Sequence, residues 1–296
     1  MNWNTDSIPD LHGRIAIVTG ATSGLGKETA RVLAGKGAQV VMAVRNTQKG
    51  DAVADEIRRQ FPHAAIEVSA LDLASLASVR RFSDAFAAGH ARLDLLVNNA
   101  GIMMCPFDRT EDGFEIQMGT NHLGHFALTG YLLPLLRQTP GARIVATSSV
   151  AHRRGNIDLG DIGWEKRKYD TVQAYGDSKI ANLYFAYAFA RKFAADPSAP
   201  LITAAHPGWT RTELQRHSGV FMFLNRFFAQ DADMGALPTL RAAFDPAARS
   251  GDYYGPSGWM ELQGYPVKVA SNKRSHDADA AARLWQLSET LTGVAY

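Results

Sequence analysis

Short runs of apolar, often β-branched residues alternate with longer helical patterns along most of the chain. The strand-like runs are Arg14–Thr19, Gln39–Val44, Ile66–Leu71, Leu93–Asn98, Arg143–Ser148 and Leu201–Ala205, with a short late strand starting at Tyr253. The helical patterns are Gly24–Lys36, Lys49–Gln60, Leu76–Ala87, Gly113–Arg137 and Tyr175–Phe193. This alternation predicts a parallel sheet with helices on both faces. Right-handed crossovers then make it a doubly wound α/β sheet of the Rossmann type.

No repeat, low-complexity tract or linker divides the 296 residues, so a single domain spanning 1–296 is expected. We expect a cofactor-binding half over about 12–150, a substrate lid over about 207–235, and a C-terminal helix over about 275–292 that folds back on the body. Ligands of open α/β sheets bind at the carboxyl ends of the strands. Functional residues should therefore follow the predicted strands directly.

A glycine-rich loop closes the first predicted strand and opens the first helix. Its spacing is Gly-x-x-x-Gly-x-Gly, and its members are Gly20, Thr22, Ser23, Gly24, Leu25 and Gly26. Glycines let the backbone approach a pyrophosphate closely, and the helix N-terminus supplies N–H donors and a positive dipole. Because the loop has the required strand–turn–helix setting, it predicts a dinucleotide site.

The end of the second strand distinguishes between the two nicotinamide cofactors. An acidic residue there would bind a ribose 2′-hydroxyl and repel a 2′-phosphate. The strand instead ends in Arg45 and Asn46, which can pair with a phosphate and donate a hydrogen bond beside it. The sequence thus predicts a preference for NADP(H) over NAD(H), although a solvated surface arginine is the alternative.

Tyr175 and Lys179 are four residues apart in a helical segment, so both side chains can point into one cleft. A neighbouring ammonium and an oxidised nicotinamide would lower the pKa of the phenol and suit it to proton transfer. The strand before them ends at Thr147 and two hydroxyls, Ser148 and Ser149, either of which could hold a substrate oxygen.

Two further strand ends carry small and polar residues that can contact a dinucleotide. The fourth strand is followed by Asn99, Ala100 and Gly101. The small residues there admit the adenosine half of the cofactor. The sixth is followed by Pro207, Gly208, Thr210 and Thr212, where the backbone and the Thr212 hydroxyl are placed to hold the nicotinamide carboxamide.

In this order, the motifs resemble the short-chain dehydrogenase/reductase family over about the first 215 residues. The resemblance implies a Rossmann fold and metal-free hydride transfer. It implies a catalytic tetrad of Asn121, Ser149, Tyr175 and Lys179, with Ser149 favoured over Ser148 and Asn121 holding a water that links Lys179 to solvent. It also assigns Asp72 and Leu73 to contact the adenine. Family members commonly form dimers or tetramers, so a homodimer or homotetramer is possible, although the long tail makes a monomer conceivable.

A finer resemblance comes from the 26 positions that separate Ser149 from Tyr175, which leave room for an insertion at the mouth of the site. With the segments 120–126 and 206–214, it resembles the retinol dehydrogenase branch, whose relatives include light-dependent protochlorophyllide reductases. That branch typically reduces bulky apolar aldehydes and ketones. Apolar residues in loops on the expected side are Met103, Met104, Phe107, Trp209, Phe221, Met222, Phe223 and Trp259.

Composition limits the classes of binding partner and the cellular locations that are expected. A net charge of +2 gives no strong field toward nucleic acid or an anionic membrane. The single cysteine, Cys105, excludes an intramolecular disulfide and favours a reducing, cytoplasmic compartment. No secretory signal or apolar run of about 18 residues is present, and Gly219–Phe228 is too short to span a bilayer. That run is expected to cover a pocket, with a membrane-dipping surface as the alternative.

The histidines lack the spacing of metal ligands, so no metal site is predicted at His122, His125, His152 or His206. The leading hypothesis is an NADP(H)-dependent reductase or dehydrogenase of the EC 1.1.1 type, acting on an apolar carbonyl compound or the matching alcohol. One alternative is a non-catalytic NADP(H) sensor, and the intact tyrosine–lysine pair argues against it. The other is a light-dependent tetrapyrrole reductase, which would use the same pair.

Overall fold

The computed structural model describes residues 2–210 and 230–296. Its strands are β1 Ile15–Thr19, β2 Gln39–Val44, β3 Ile66–Ala70, β4 Leu95–Asn98, β5 Arg143–Thr147, β6 Leu201–Ala205, β7 Tyr253–Pro256 and β8 Pro266–Lys268. They form one sheet in the order β3-β2-β1-β4-β5-β6-β7-β8. Neighbouring strands are parallel throughout except for the antiparallel pair β7 and β8. The predicted doubly wound sheet is confirmed.

Helices cover both faces of this sheet. They are α1 Gly24–Gly35, α2 Thr47–Gln60, α3 Leu76–Gly89, α4 Ile116–Met118, α5 Gly124–Gln138, α6 Thr171–Lys192, α7 Ala232–Phe244 and α8 Ala278–Thr292. Buried side chains of α3, α5 and α6 form the core on one face. Those of α1, α2 and α7 form the core on the other. The C-terminal α8 packs against α6.

The apolar runs become strands because both faces of the sheet are buried. Within β1, Ile17 faces the α3/α5/α6 core, whereas Ala16 and Val18 face the α1/α2/α7 core. Successive strand residues point to opposite faces, so a strand between two helical layers needs apolar residues at every position. The strand order reverses between β1 and β4, and the crevice at this point is where such folds bind ligands.

Three helix starts differ by three or four residues from the sequence-based expectation. The helix expected over 113–137 begins only at Ile116, because Gly113 has a φ of +85° and the Glu115 carboxylate caps the first N–H groups. The helix that carries Tyr175 begins earlier, at Thr171, where Asp170 supplies the capping oxygen. The C-terminal helix begins at Ala278, after a 3₁₀ turn, and is capped by Asp277.

Further helices and strands were not predicted, among them α7, Ala232–Phe244. A π-helical turn, Gly119–Leu123, joins α4 to α5. The edge strand β8 was also missed, because it has only three residues and begins with proline. Proline is confined to strand edges and ends, so the sequence carries little strand signal there.

Candidate active site

A cleft of about 920 Å³ opens at the carboxyl ends of the strands. It brings together nearly all of the residues selected from the sequence. The lining includes Gly20, Thr22, Ser23, Gly24, Leu25, Gly26, Arg45, Asn46, Asp72, Leu73, Asn99, Ala100, Gly101, Thr147, Ser149, Tyr175, Lys179, Pro207, Gly208 and Thr210. Asn121 lies behind this surface and does not line it. Thr212 and most of the expected lid lie outside the described residues.

The glycine loop needs its glycines for two different reasons. Gly20 and Gly24 have φ values of +68° and +52°, which favour a residue without a side chain. Gly26 is required by close packing instead. A Cβ at that position would lie 2.3 Å from the Gly20 carbonyl oxygen and 2.5 Å from the Asn99 Nδ2. The first turn of α1 therefore presses directly against the loops after β1 and β4.

A Gly26→Ala substitution is expected to displace the loop and weaken NADPH binding by at least about tenfold, because a methyl group meets backbone that cannot move aside cheaply. Titration of NADPH by fluorescence measures this. Gly89→Ala, where an added Cβ meets nothing within 4 Å, is the matched control and should bind NADPH normally. Unchanged affinity in the Gly26 variant would show that the dinucleotide does not use this loop.

The N-terminus of α1 has donors available for an anion. Ser23 is the N-cap residue, and its side chain makes no capping hydrogen bond. The first N–H groups of α1 therefore lack the side-chain acceptor that often satisfies them. A pyrophosphate is a chemically matched acceptor for these donors and for the helix dipole.

The end of β2 is also basic and polar. Arg45 and Asn46 are exposed and line the cleft, together with Lys49, which was not predicted. Asn46 accepts a hydrogen bond from the Lys49 N–H at 2.9 Å through its Oδ1 and so caps α2. Its amide nitrogen remains a donor. The sequence contained a signal for Lys49, since it lies one turn from Asn46 at the start of the same helix.

A buried threonine joins the strand ends beneath the cleft. Thr19 Oγ1 accepts hydrogen bonds from the N–H groups of Asn99 and Ala100, each at 2.9 Å. His125 Nδ1 lies 3.0 Å from the Asn121 carbonyl, so it must be the protonated nitrogen. Its Nε2 therefore accepts from the Thr19 hydroxyl at 2.9 Å. One neutral imidazole thus connects the glycine-loop strand to the turn that carries Asn121.

Tyr175 and Lys179 lie one helical turn apart on α6, and both are buried. The Lys179 ammonium is 5.6 Å from the centre of the Tyr175 ring and 3.4 Å from the Thr147 carbonyl oxygen. Burial lowers the pKa of Lys179 to about 8. Burial raises the pKa of Tyr175 to about 12, with a hydrogen bond from Ser149 acting in the opposite direction. The protein's own groups therefore hold the phenol protonated, contrary to the lowered pKa expected from Lys179.

The two serines after β5 have different surroundings. The Ser148 hydroxyl is buried and donates to the Lys179 carbonyl oxygen at 2.9 Å. Ser149 accepts from the Ala151 N–H at 3.2 Å, and its side chain is close enough to the Tyr175 hydroxyl to lower the pKa of that phenol. Of the two, Ser149 is the hydroxyl that is placed beside the phenol.

Asn121 belongs to the scaffold behind this pair. Its side-chain nitrogen donates to the Ile102 carbonyl and to Ser178 Oγ, both at 2.9 Å, and its oxygen accepts from the Ile102 N–H at 2.8 Å. Ser178 in turn donates to the Tyr175 carbonyl at 2.8 Å. These bonds connect the loop after β4 to the turn of α6 that carries Tyr175.

The apolar candidates fall into three groups. Met103, Met104 and Trp209 line the cleft. Phe107 and Trp259 do not, and both are exposed to solvent. Those at 221–223 lie outside the described residues. Lining residues that the sequence reasoning did not select include Ile102, Thr120, Val150, Arg153, Arg154, Val172, Met260 and Leu262.

The four histidines considered as metal ligands have other partners. His122 contacts Ser288, His125 contacts Thr19, His152 contacts the Ser149 carbonyl and His206 contacts Glu261. In the parts of the chain that the structure describes, no three His, Cys, Asp or Glu residues are grouped in a way that could hold a metal ion. Within the same parts, no helix is both long and apolar enough to cross a bilayer.

Comparison with known proteins identifies a matching family and similar proteins over most of the chain. Residues 14–220 match the short chain dehydrogenase family. Human retinol dehydrogenase 12 is 39% identical over 289 residues, which cover 96% of this chain and 88% of that protein. An uncharacterized protein from Mycobacterium paratuberculosis, of known structure, is 42% identical with a TM-score of 0.84 and covers 99% of this chain and 98% of its own.

A more distant structure contains a nucleotide. It is a short chain dehydrogenase from Shigella flexneri 2a complexed with NADP, 26% identical with a TM-score of 0.63, covering 82% of this chain and 97% of that one. The family match and the retinol dehydrogenase relatives agree with the fold and the cleft. This chain is therefore an oxidoreductase that belongs to the short-chain dehydrogenase/reductase family, in its retinol dehydrogenase-like branch.

Proposed function

We propose that the protein is an NADP(H)-dependent oxidoreductase that interconverts an apolar aldehyde or ketone and the matching alcohol. The observation that carries this proposal is the buried pair Tyr175 and Lys179, one helical turn apart, in a cleft that also contains the glycine loop. A proton donor beside a nucleotide cradle is what carbonyl reduction requires.

The cleft fits an extended dinucleotide. The close approach at Gly26 and the α1 N–H groups would hold the pyrophosphate. Arg45, Asn46 and Lys49 would surround a ribose 2′-phosphate, with Asp72 and Leu73 beside the adenine. The nicotinamide end would lie against the loop that follows β6. Pro207, Gly208 and Thr210 of this loop line the cleft. The proposed contact from Thr212 falls on a residue outside the described part of the chain.

When bound, the reduced nicotinamide supplies a hydride to the carbonyl carbon. Ser149 would donate a hydrogen bond to the carbonyl oxygen and hold it against Tyr175. Tyr175 would then donate its phenolic proton to that oxygen as negative charge develops there. Since burial raises the pKa of Tyr175, the phenol is in the protonated form that reduction needs at neutral pH.

Lys179 would stabilise Tyr175 after the phenol has donated its proton. With a pKa lowered by burial to about 8, it is still largely an ammonium at pH 7. That charge favours the phenolate left behind on Tyr175. The role of Asn121 in holding a water near Lys179 stays a prediction. Its hydrogen bonds position the loop after β4 and, through Ser178, the turn that carries Tyr175.

The substrate end of the cleft supports an apolar ligand. Side chains there include Met103, Met104, Val172, Trp209 and Leu262. Sites of this composition bind through apolar contact and use a few polar groups for orientation. The reducing, cytoplasmic location and a homodimeric or homotetrameric assembly stay predictions from the sequence.

NADPH oxidation by the purified protein, in the dark, tests the proposal. The panel should contain straight-chain aldehydes, aromatic aldehydes, retinal and steroid ketones, and the binding of NADPH and NADH should be compared directly. We expect turnover of apolar carbonyls and tighter binding of NADPH. Tight NADPH binding without turnover across the panel would favour the sensor. Turnover that requires light would favour a tetrapyrrole reductase.

A further inference from the structure

The hairpin between β7 and β8 reaches the cleft. We call its turn, Gly258–Gly264, the cleft lip. Met260 and Leu262 of the lip line the cleft. The Trp209 N–H donates to the Leu262 carbonyl at 2.8 Å, and a Cβ on Gly208 would lie 2.4 Å from the same oxygen. The lip is therefore packed directly on the loop after β6.

The lip has an unfavourable backbone. Met260 and Glu261 have φ values of 52° and 60°, so two consecutive residues with side chains occupy the left-handed region. This conformation is costly for any residue with a Cβ and persists only where the surroundings enforce it. Yet Met260 is 54% exposed, so burial of its own side chain is not what fixes it.

The side-chain contacts of Glu261 hold the backbone of the lip in this conformation. One carboxylate oxygen accepts from Arg153 Nη2 at 2.8 Å, and the other accepts from His206 Nε2 at 2.9 Å. His206 is fully buried, and its Nδ1 accepts from the Gly208 N–H at 3.2 Å. Charge-assisted bonds of this kind are stronger than neutral ones. The carboxylate thus fixes the lip to the turn after Ser149 and to the loop after β6.

Every segment that Glu261 connects contributes to the cleft, but Glu261 does not line it. Arg153 and Gly208 do line it, and so does Met260, which precedes Glu261 in the chain. Glu261 is thus suited to hold Met260 in a fixed place beside the ligand. A strained, anchored residue that presents a half-exposed thioether to a cleft is a candidate for recognition of apolar groups.

We propose that Met260 of the cleft lip determines substrate length. Met260 contacts the part of the substrate farthest from the carbonyl, and Glu261 is the positioning residue that holds it there. The substrates selected are carbonyl compounds with an apolar chain or ring system long enough to pass from Tyr175 to Met260. This inference rests on the proposed function, because it assigns a direction to the substrate in the same cleft.

The test measures binding rather than turnover. In a Tyr175→Phe background, turnover is expected to be about 10³-fold slower, so the affinity of the NADPH complex for straight-chain aldehydes from butanal to dodecanal can be titrated by nicotinamide fluorescence. Two lip variants are compared. Met260→Asn introduces a residue that tolerates the left-handed conformation and removes the apolar contact. Glu261→Gln keeps the shape but cannot accept from both Arg153 and His206.

We expect both variants to weaken dodecanal binding by about tenfold, as loss of a few buried methylene contacts implies, and to change butanal and NADPH affinities by less than about twofold. Met260→Leu should restore the affinity for dodecanal. Trp259→Asn is the matched control, because Trp259 adjoins Met260 but is 76% exposed and does not line the cleft. It should leave all of these affinities unchanged.

Uniform weakening at every chain length would show that the lip is only structural, and equal affinities in all variants would exclude contact with the substrate. Affinity that does not rise with chain length when the lip is intact would also overturn the inference. Failure of the proposed function gives a different result, since the protein with Tyr175 intact would then not oxidise NADPH with any carbonyl in the panel.

Discussion

Replacing Tyr175 with phenylalanine is expected to lower the rate of carbonyl reduction by about 10³-fold, within the range that a positioned general acid contributes. The phenol is buried beside Ser149 and is held in its protonated form. Phenylalanine fills nearly the same volume but has no proton to donate. NADPH affinity should change by less than about twofold, since the ring that lines the cleft remains.

Tyr184→Phe is the matched control for this substitution. Tyr184 lies on the same helix, is buried and donates to the Arg274 carbonyl at 3.1 Å, but it does not line the cleft. Its loss should cost about 1 kcal/mol of stability, as for one hydrogen bond, and should leave the rate unchanged. Steady-state kinetics and thermal unfolding of the two variants separate these effects. A Tyr175→Phe enzyme with more than a tenth of the activity would place the proton donor elsewhere.

Arg45→Glu is expected to lower the preference for NADPH over NADH by at least about 100-fold. The substitution removes a cation from the proposed phosphate position and puts there a carboxylate that repels a 2′-phosphate and accepts from a 2′-hydroxyl. Dissociation constants for the two nucleotides, measured by fluorescence titration, give the ratio directly. The preference of the unaltered protein should also decline as salt concentration rises, because Arg45 is exposed.

Arg59→Glu makes the same change of charge at the far end of α2, on an exposed residue outside the cleft. It should leave the ratio within about twofold of its original value, since screening in salt limits such distant effects. Tighter binding of NADH by the unaltered protein would contradict the predicted cofactor preference. If Arg45→Glu leaves the ratio unchanged, the phosphate is recognised by other groups, of which Lys49 is the next to test.

The parts of the site that could be predicted depend on local rules. Strand and helix periodicities and turn chemistry are properties of short segments, so they placed the glycine loop after β1 and Arg45 after β2. The spacing of Tyr175 and Lys179 was sufficient to predict that both side chains enter one cleft, because residues four apart share a helix face. In the structure, both side chains line the same cleft.

The parts that could not be predicted depend on tertiary packing. Nothing local in the sequence indicates that Met260 and Glu261 adopt a left-handed backbone, because their propensities oppose it and distant bonds from Arg153 and His206 impose it. The upward shift of the Tyr175 pKa was also not predicted, because the effect of burial outweighs that of the neighbouring polar groups. Similarly, the π-helical turn that carries Asn121 leaves no periodic signal.

The buried imidazoles behind the cleft have a consequence for tolerance of acid. Burial lowers the pKa of His122, His125 and His152 to about 4, whereas an unfolded chain protonates histidine near 6.5. Between these values the unfolded chain binds more protons than the folded one, so stability falls as the pH falls. Each histidine costs up to about 1.4 kcal/mol per pH unit in this interval. Burial of these three imidazoles therefore lowers the stability of the folded chain as the pH falls below about 6.5, and acidification would disrupt the site by unfolding the chain around it.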